Sequence, residues 1–268
     1  MNILDKIIAH KRVEVAGRKT AVPVPVLEKS AFFYQPALSL KAALRDTGST
    51  GIIAEFKRRS PSRGVINDKA DVGQVTRGYV AAGAACLSVL TDNHFFGGSE
   101  SDLATARANE VPILRKEFII DEYQILEARA IGADVVLLIA ACLSPQEVRR
   151  LSVFARGLGL EVLLEIHGER ELDHICDETA IVGVNNRDLK TFTVDIDRSI
   201  RLSKRIPAGK LLVAESGISQ VQTILQLREA GFRGFLIGES FMKQADPAAA
   251  FTGFVRELRE NDRHSMEI

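Results

Sequence analysis

Residues 51–62 read GIIAEFKRRSPS. Ile52–Phe56 is a short strand by its β-branched and aromatic content. In parallel α/β chains the ligand binds where such strands end, so the residues after Phe56 bear on the architecture. A doubly wound open sheet often continues its first strand into a G-x-G-x-x-G turn. Here the strand runs into Lys57-Arg58-Arg59-Ser60-Pro61-Ser62, which contains no such turn. The stretch therefore favours a closed barrel.

Outward from this strand one pattern repeats. Short apolar runs recur at Cys86–Leu90, Pro112–Leu114, Val135–Ala140, Glu161–Leu164, Ile181–Val184, Leu211–Ala214 and Gly234–Ile237. Amphipathic segments such as Glu122–Ile131, Pro145–Arg156, Ile196–Ile206 and Val221–Ala230 lie between them. Strand and helix in alternation indicate parallel βαβ units. Eight such units predict a (β/α)8 TIM barrel of about 250 residues. The repeat is architectural, without internal sequence similarity.

The chain has 268 residues, 46% of them hydrophobic, enough for one large core. The reading is a single TIM-barrel domain over residues 1–268, with an N-terminal extension at 1–50 and the barrel at 51–268. In the extension, Asn2–Arg18 predicts a helix with Ile3, Ile7 and Ile8 on one side. Val22-Pro23-Val24-Pro25-Val26 predicts a stiff extended link, since proline fixes φ. Leu38–Leu44 predicts a second short helix. Together they would cover one end of the barrel.

Lys+Arg and Asp+Glu number 35 each. A balanced charge gives no support for a nucleic-acid or polyanion partner, so an anionic ligand must be met by a local site. Cys86, Cys142 and Cys176 form no CxxC pair, and with Cys86 and Cys142 in apolar runs they read as buried thiols in a reducing cytosol. Met1 to Lys11 carries charges among its apolar residues, unlike a signal peptide, and no apolar run approaches a membrane span. A cytoplasmic protein with no membrane partner is expected, a monomer or weak dimer.

Barrel active sites form at the C-terminal strand ends, so the polar residues there are the candidates. Glu55 and Lys57 are two apart and share a face. Lys116 and Phe118 share the face of Leu114, which sets a proton donor beside a ring. Glu165 follows three apolar residues, a good position for a base, and His167 on the same face reads as a hydrogen-bonded structural histidine. No cluster has metal-ligand spacing, so no metal is expected. Asn185 and Arg187 both point inward after strand six. Strand seven ends in Glu215-Ser216-Gly217 and strand eight in Gly238-Glu239. Glycines at these two positions let backbone N–H groups approach an anion, and barrels often hold phosphate there.

The stretches Ile53–Ser62, Ser88–Asp92 with Phe95–Ser99, Leu114–Ile119, Gly183–Leu189 and Ala214–Ile218, in this order and spacing, resemble the motifs of the indole-3-glycerol phosphate synthase family. The resemblance covers nearly the whole chain, loosely in the extension. Glu117 stands where the family often has aspartate, and His94 lies in a variable loop. The resemblance implies a lyase of tryptophan biosynthesis that needs no cofactor. Its substrate would be 1-(2-carboxyphenylamino)-1-deoxyribulose 5-phosphate, closed to indole-3-glycerol phosphate with loss of CO2 and water.

By this resemblance Lys116 is the acid of ring closure and Glu165 the base of dehydration. Lys57 positions the substrate and its carboxylate or serves as a second acid. Glu55 and Glu215 hold lysines and hydroxyls, and Asn185 meets reacting groups with support from Arg187. Phe96 and Phe118 line the aromatic pocket. Ser60, Ser216, Gly217, Gly238 and Glu239 form the phosphate site, with Glu239 serving through its N–H while its side chain turns away. The rivals are another sugar-phosphate barrel enzyme, an isomerase or a Schiff-base aldolase, and a non-catalytic barrel. The Glu55/Lys57 pair with Lys116 and Glu165 favours the ring-closing lyase over the first. A non-catalytic barrel would have lost charged strand ends that are all present here.

Overall fold

Eight apolar runs become eight parallel strands: β1 (Ile52–Phe56), β2 (Cys86–Leu90), β3 (Ile113–Lys116), β4 (Val135–Ile139), β5 (Glu161–Ile166), β6 (Ile181–Asn185), β7 (Leu211–Glu215) and β8 (Phe232–Ile237). In the computed structural model, which describes residues 3–188 and 193–266, each strand pairs with the next and β8 pairs with β1. The sheet is a closed TIM barrel. Helices follow most strands, and their starts are written in the sequence. Asp121 with Gln124 and Ser144 with Glu147 form capping boxes before Glu122–Ala130 and Pro145–Gly157. After β5 the crossover is only a 3-10 segment, Glu169–His174. Among the described residues no helix is long and apolar enough to cross a membrane.

Alternation along each strand splits the core in two. Ile53, Cys86, Leu114, Leu163, Ile181, Val213 and Leu236 fill the barrel interior. Their neighbours Ile52, Leu87, Ile113, Leu164, Val182 and Ala214 pack outward against the helices. The interior residues lead by steps of two to Glu55, Lys116, Glu165, Asn185 and Glu215, which is how an apolar barrel delivers charges to one end.

The extension reaches both ends. Helix α1 (Ile3–Ala21) begins beside the C-terminal strand ends; Asn2, where the sequence starts it, lies outside the described residues. The link expected to be extended is corrected, because α2 (Val24–Leu27) is a helical turn. Pro23 is its N-cap, and Pro25 falls in the first turn, where a backbone N–H has no helical acceptor to lose. Helix α3 (Leu40–Arg45) inserts Leu40 and Leu44 into the bottom of the barrel. Beyond β1, a hairpin of Arg59–Ser60 with Gly64–Val65 is added, which the sequence reading does not contain.

Candidate active site

A cavity of about 400 Å3 opens at the C-terminal end of the strands. Every candidate lines it: Glu55, Lys57, Ser60, Phe96, Lys116, Phe118, Glu165, Asn185, Arg187, Glu215, Ser216, Gly217, Gly238 and Glu239. Leu189, the last residue of one motif, lies outside the described residues.

Lys116 stands at the centre. Its Nζ is 3.2 Å from Glu165 Oε2 and 3.4 Å from Glu215 Oε2. The last contact crosses the barrel, because β3 and β7 are four strands apart in the closed order. Glu55 Oε1 holds Lys57 Nζ at 2.9 Å, and Ser88 Oγ donates to Glu55 Oε2 at 3.2 Å. Asn185 Nδ2 donates to Glu165 Oε1 at 3.0 Å. The inward glycine of β6 makes room for this arrangement, since a Cβ on Gly183 would overlap Glu215 Oε1.

On one side of the lysine the rings of Phe96 and Phe118 lie 5.8 Å apart. On the other, the loops after β7 and β8 line the cavity. Ser216 and Gly217 both have positive φ, 68° and 73°, and Val194 packs where a Gly217 side chain would sit. Gly238 starts the short turn Glu239–Met242. The Glu239 side chain corrects the expectation that it turns away. Its carboxylate lines the cavity, 3.0 Å from Arg63 Nε and 3.4 Å from Arg187 Nη2, because two guanidinium groups draw it in.

The family model for indole-3-glycerol phosphate synthase matches residues 4–254. The chain belongs to the indole-3-glycerol phosphate synthase family. An indole-3-glycerol phosphate synthase of Bacteroides thetaiotaomicron is 48% identical over 259 residues, covering 96% of this chain and 99% of the relative. Those of Polaromonas sp. strain JS666 and Acidithiobacillus ferrooxidans strain ATCC 53993 are 44% and 43% identical, each covering 93% of this chain and 96% and 97% of the relative. A chain of the tryptophan synthase complex from Pyrococcus furiosus superposes with a TM-score of 0.57 at 16% identity. It covers 79% of this chain and 98% of that one, and at that identity it speaks for the fold alone.

In this member of the indole-3-glycerol phosphate synthase family the buried charges shift one another. Burial opposes the charge on Lys116, but the carboxylates of Glu165, Glu215 and Glu55 outweigh it and raise its pKa. Burial likewise opposes ionised Glu165, and Lys116, His167 and Asn185 outweigh it, holding the carboxyl well below the usual range. Glu215 goes the other way. Its burial and the Glu165 charge push it up to about 8 against the pull of Lys116. With one ammonium between two buried carboxylates, the second is pushed towards its protonated form.

The expectation of a hydrogen-bonded structural histidine is met only in part. His167 stands behind Glu165, outside the cavity lining, with Nε2 3.0 Å from Glu165 Oε1 and Nδ1 3.5 Å from Glu171 Oε2. These are charge contacts without aligned hydrogen bonds. Burial works against its charge, but the two carboxylates raise its pKa to about 10.

Sequence reasoning missed Ile3, Leu4 and Ile7, which line the cavity from α1, and Arg63, Asp92 and Lys243. The apolar face of α1 is legible in sequence, but nothing local says which end of the barrel it meets.

Proposed function

We propose that this chain closes 1-(2-carboxyphenylamino)-1-deoxyribulose 5-phosphate to indole-3-glycerol phosphate, with loss of CO2 and water. The observation that carries the reading is Lys116, held between Glu165 and Glu215, with a phenyl pair on one side and glycine-containing loops on the other. The aromatic ring lies against Phe96 and Phe118. The phosphate takes backbone N–H groups of the loops at Ser216, Gly217 and Gly238, with Ser60 beside them.

The ring carbon bearing the carboxylate attacks the ketone carbon, and the ketone oxygen takes a proton from Lys116 Nζ. The C–CO2 bond then breaks, and its electrons restore the aromatic ring. In the last step Glu165 takes a proton from the methylene beside nitrogen as the hydroxyl leaves with a second proton. In this reading Lys57, which Glu55 holds at 2.9 Å, meets the carboxylate and supplies that second proton. Arginine is too weak an acid for either donation. Lys116 and Glu165 neutralise one another at 3.2 Å until the substrate parts them. Binding thus frees acid and base together. Asn185 keeps Glu165 in place, and Arg187, whose N–H bonds Asn185 Oδ1 at 2.9 Å, supports Asn185.

Turnover of the synthetic substrate, followed by indole fluorescence, tests the activity. Lys116→Met keeps an apolar stem and cannot donate a proton. Its single-turnover ring closure should fall by at least about 10²-fold, the low end for a general acid, with the protein folded. If Lys116→Met closes the ring at the wild-type rate and only Lys57→Met is slow, the two lysines exchange roles. A wild-type chain that forms no indole overturns the proposal.

A further inference from the structure

Lys11 is almost fully buried, 1% exposed, in a helix that is otherwise largely open to water. An apolar side chain would anchor α1 there without the desolvation that an ammonium suffers. What the lysine adds is charge, and the surroundings use it. Its Nζ lies 2.8 Å from Asp92 Oδ2, 3.1 Å from Glu117 Oε1 and 3.0 Å from Glu14 Oε2. Glu14 belongs to α1 itself. Asp92 lies just after β2 and Glu117 just after β3, and both are buried.

The two loop carboxylates each hold backbone that carries a phenyl ring. Asp92 Oδ1 accepts the N–H groups of Phe95 and Phe96, at 2.7 and 3.0 Å. Glu117 Oε1 accepts the N–H of Phe118 at 2.8 Å, and its Oε2 takes Thr91 Oγ at 2.9 Å. Asp92 Oδ2 is buried and has no hydrogen bond, so its charge is met by the Lys11 ammonium. Without that ammonium, two buried carboxylates would face each other. One turn before Lys11 in the helix, Ile7 lines the cavity, with Ile3 a further turn back. Lys11 therefore sits where the helix, the Phe96 loop and the Phe118 loop meet.

We propose that Lys11 is a positioning residue for the aromatic end of the substrate, setting Phe96 and Phe118 through Asp92 and Glu117 and seating α1 over them. The inference rests on the assignment of the two rings to the aromatic ring of the substrate. Among the described residues, no ion pair joins Lys11 to the strand-borne charges or to the loops after β7 and β8. Its loss should act on one end of the substrate and spare the other.

The test is steady-state kinetics of Lys11→Met, with inorganic phosphate as a competitive inhibitor. KM for the carboxyphenylamino substrate should rise at least about tenfold, more than kcat falls, while the inhibition constant for phosphate stays within about twofold. An unchanged KM overturns the proposal. A KM and a phosphate constant that rise together also overturn it, because that is general loosening of the site. The double variant Lys11→Met/Asp92→Asn removes an anion along with the cation and should show the same split, so an unfolded single variant does not decide the question. Absence of wild-type turnover would count against the proposed activity; normal turnover with wild-type KM in these variants would count against the role of Lys11 alone.

Discussion

Glu165 owes its low pKa to neighbours on two strands besides its own, and the strongest is Lys116. His167, on the same strand face, adds a positive charge that is retained through neutrality, its pKa being raised to about 10. This predicts a change in the pH profile. His167→Gln removes the charge, so the Glu165 pKa climbs towards its ordinary value. The acid limb of kcat/KM, which reports ionisation of the base in the free enzyme, should move to higher pH. Lys116, Asn185 and Glu171 face the same pair and stay in place. An acid limb that does not move would make His167 a packing residue only. Gly183 shows the other way a residue acts here, by the absence of a side chain, since its place is taken by the Glu215 carboxylate.

Helix α3 shows how an element outside the barrel completes it. Ser39 caps the helix by accepting the N–H of Ala42 at 3.0 Å, and its Oγ donates to Glu161 Oε1 at 2.6 Å. Lys41 N–H donates to the other Glu161 oxygen at 2.9 Å. A carboxylate at the start of β5 thus fixes the entry of the helix, and Leu40 and Leu44 are pressed among Ile53, Leu163 and Val213. Leu44→Ala leaves a cavity beneath a rigid barrel and should destabilise the protein by about 2–5 kcal/mol. Ser39→Ala should cost about 0.5–2 kcal/mol by loss of the cap. Both are read by denaturant unfolding, and KM should be unaffected, because α3 lies at the end opposite the cavity. A Leu44→Ala protein as stable as wild type would mean that α3 is not the plug. The same logic separates α3 from α1, whose Lys11 is predicted to act on KM.

At the scale of the whole molecule the coupled charges link stability to pH. Glu215 is raised from 4.5 to about 8, so the folded chain binds its proton more tightly than the unfolded chain. That contribution is complete below pH 4.5 and is lost as the pH rises to about 8. Glu165 has the opposite sign. Its contribution is present above 4.5 and is lost on the acid side as the pH falls through its depressed folded value. His167, raised from 6.5 to about 10, adds a loss of the same sign above 6.5. The Glu215 effect therefore stands alone between 4.5 and 6.5, and above that it is read from the difference between two proteins that both keep His167. The melting temperature of wild type should fall across this window relative to Glu215→Gln, which keeps the shape and cannot ionise. Parallel curves for the two proteins would show that Glu215 is ionised throughout.

What the sequence determined by itself is what the backbone sets within a few residues. Strand alternation places Glu55 with Lys57, Lys116 with Phe118 and Glu165 with His167, because side chains repeat every second residue. Turn and cap residues mark where helices start, and the motif order identifies the family. The Val22–Val26 reading went astray on a local point, since proline obstructs a helix interior but not its first turn. Tertiary structure alone decided that Lys116 meets Glu215 across the interior, that Lys11 is buried against Asp92 and Glu117, and that Arg63 and Arg187 draw Glu239 inward. Those contacts join residues far apart in the chain. Their distances follow from closing eight strands into one ring and docking α1 over it, and the charge states follow from which buried groups that closure leaves side by side.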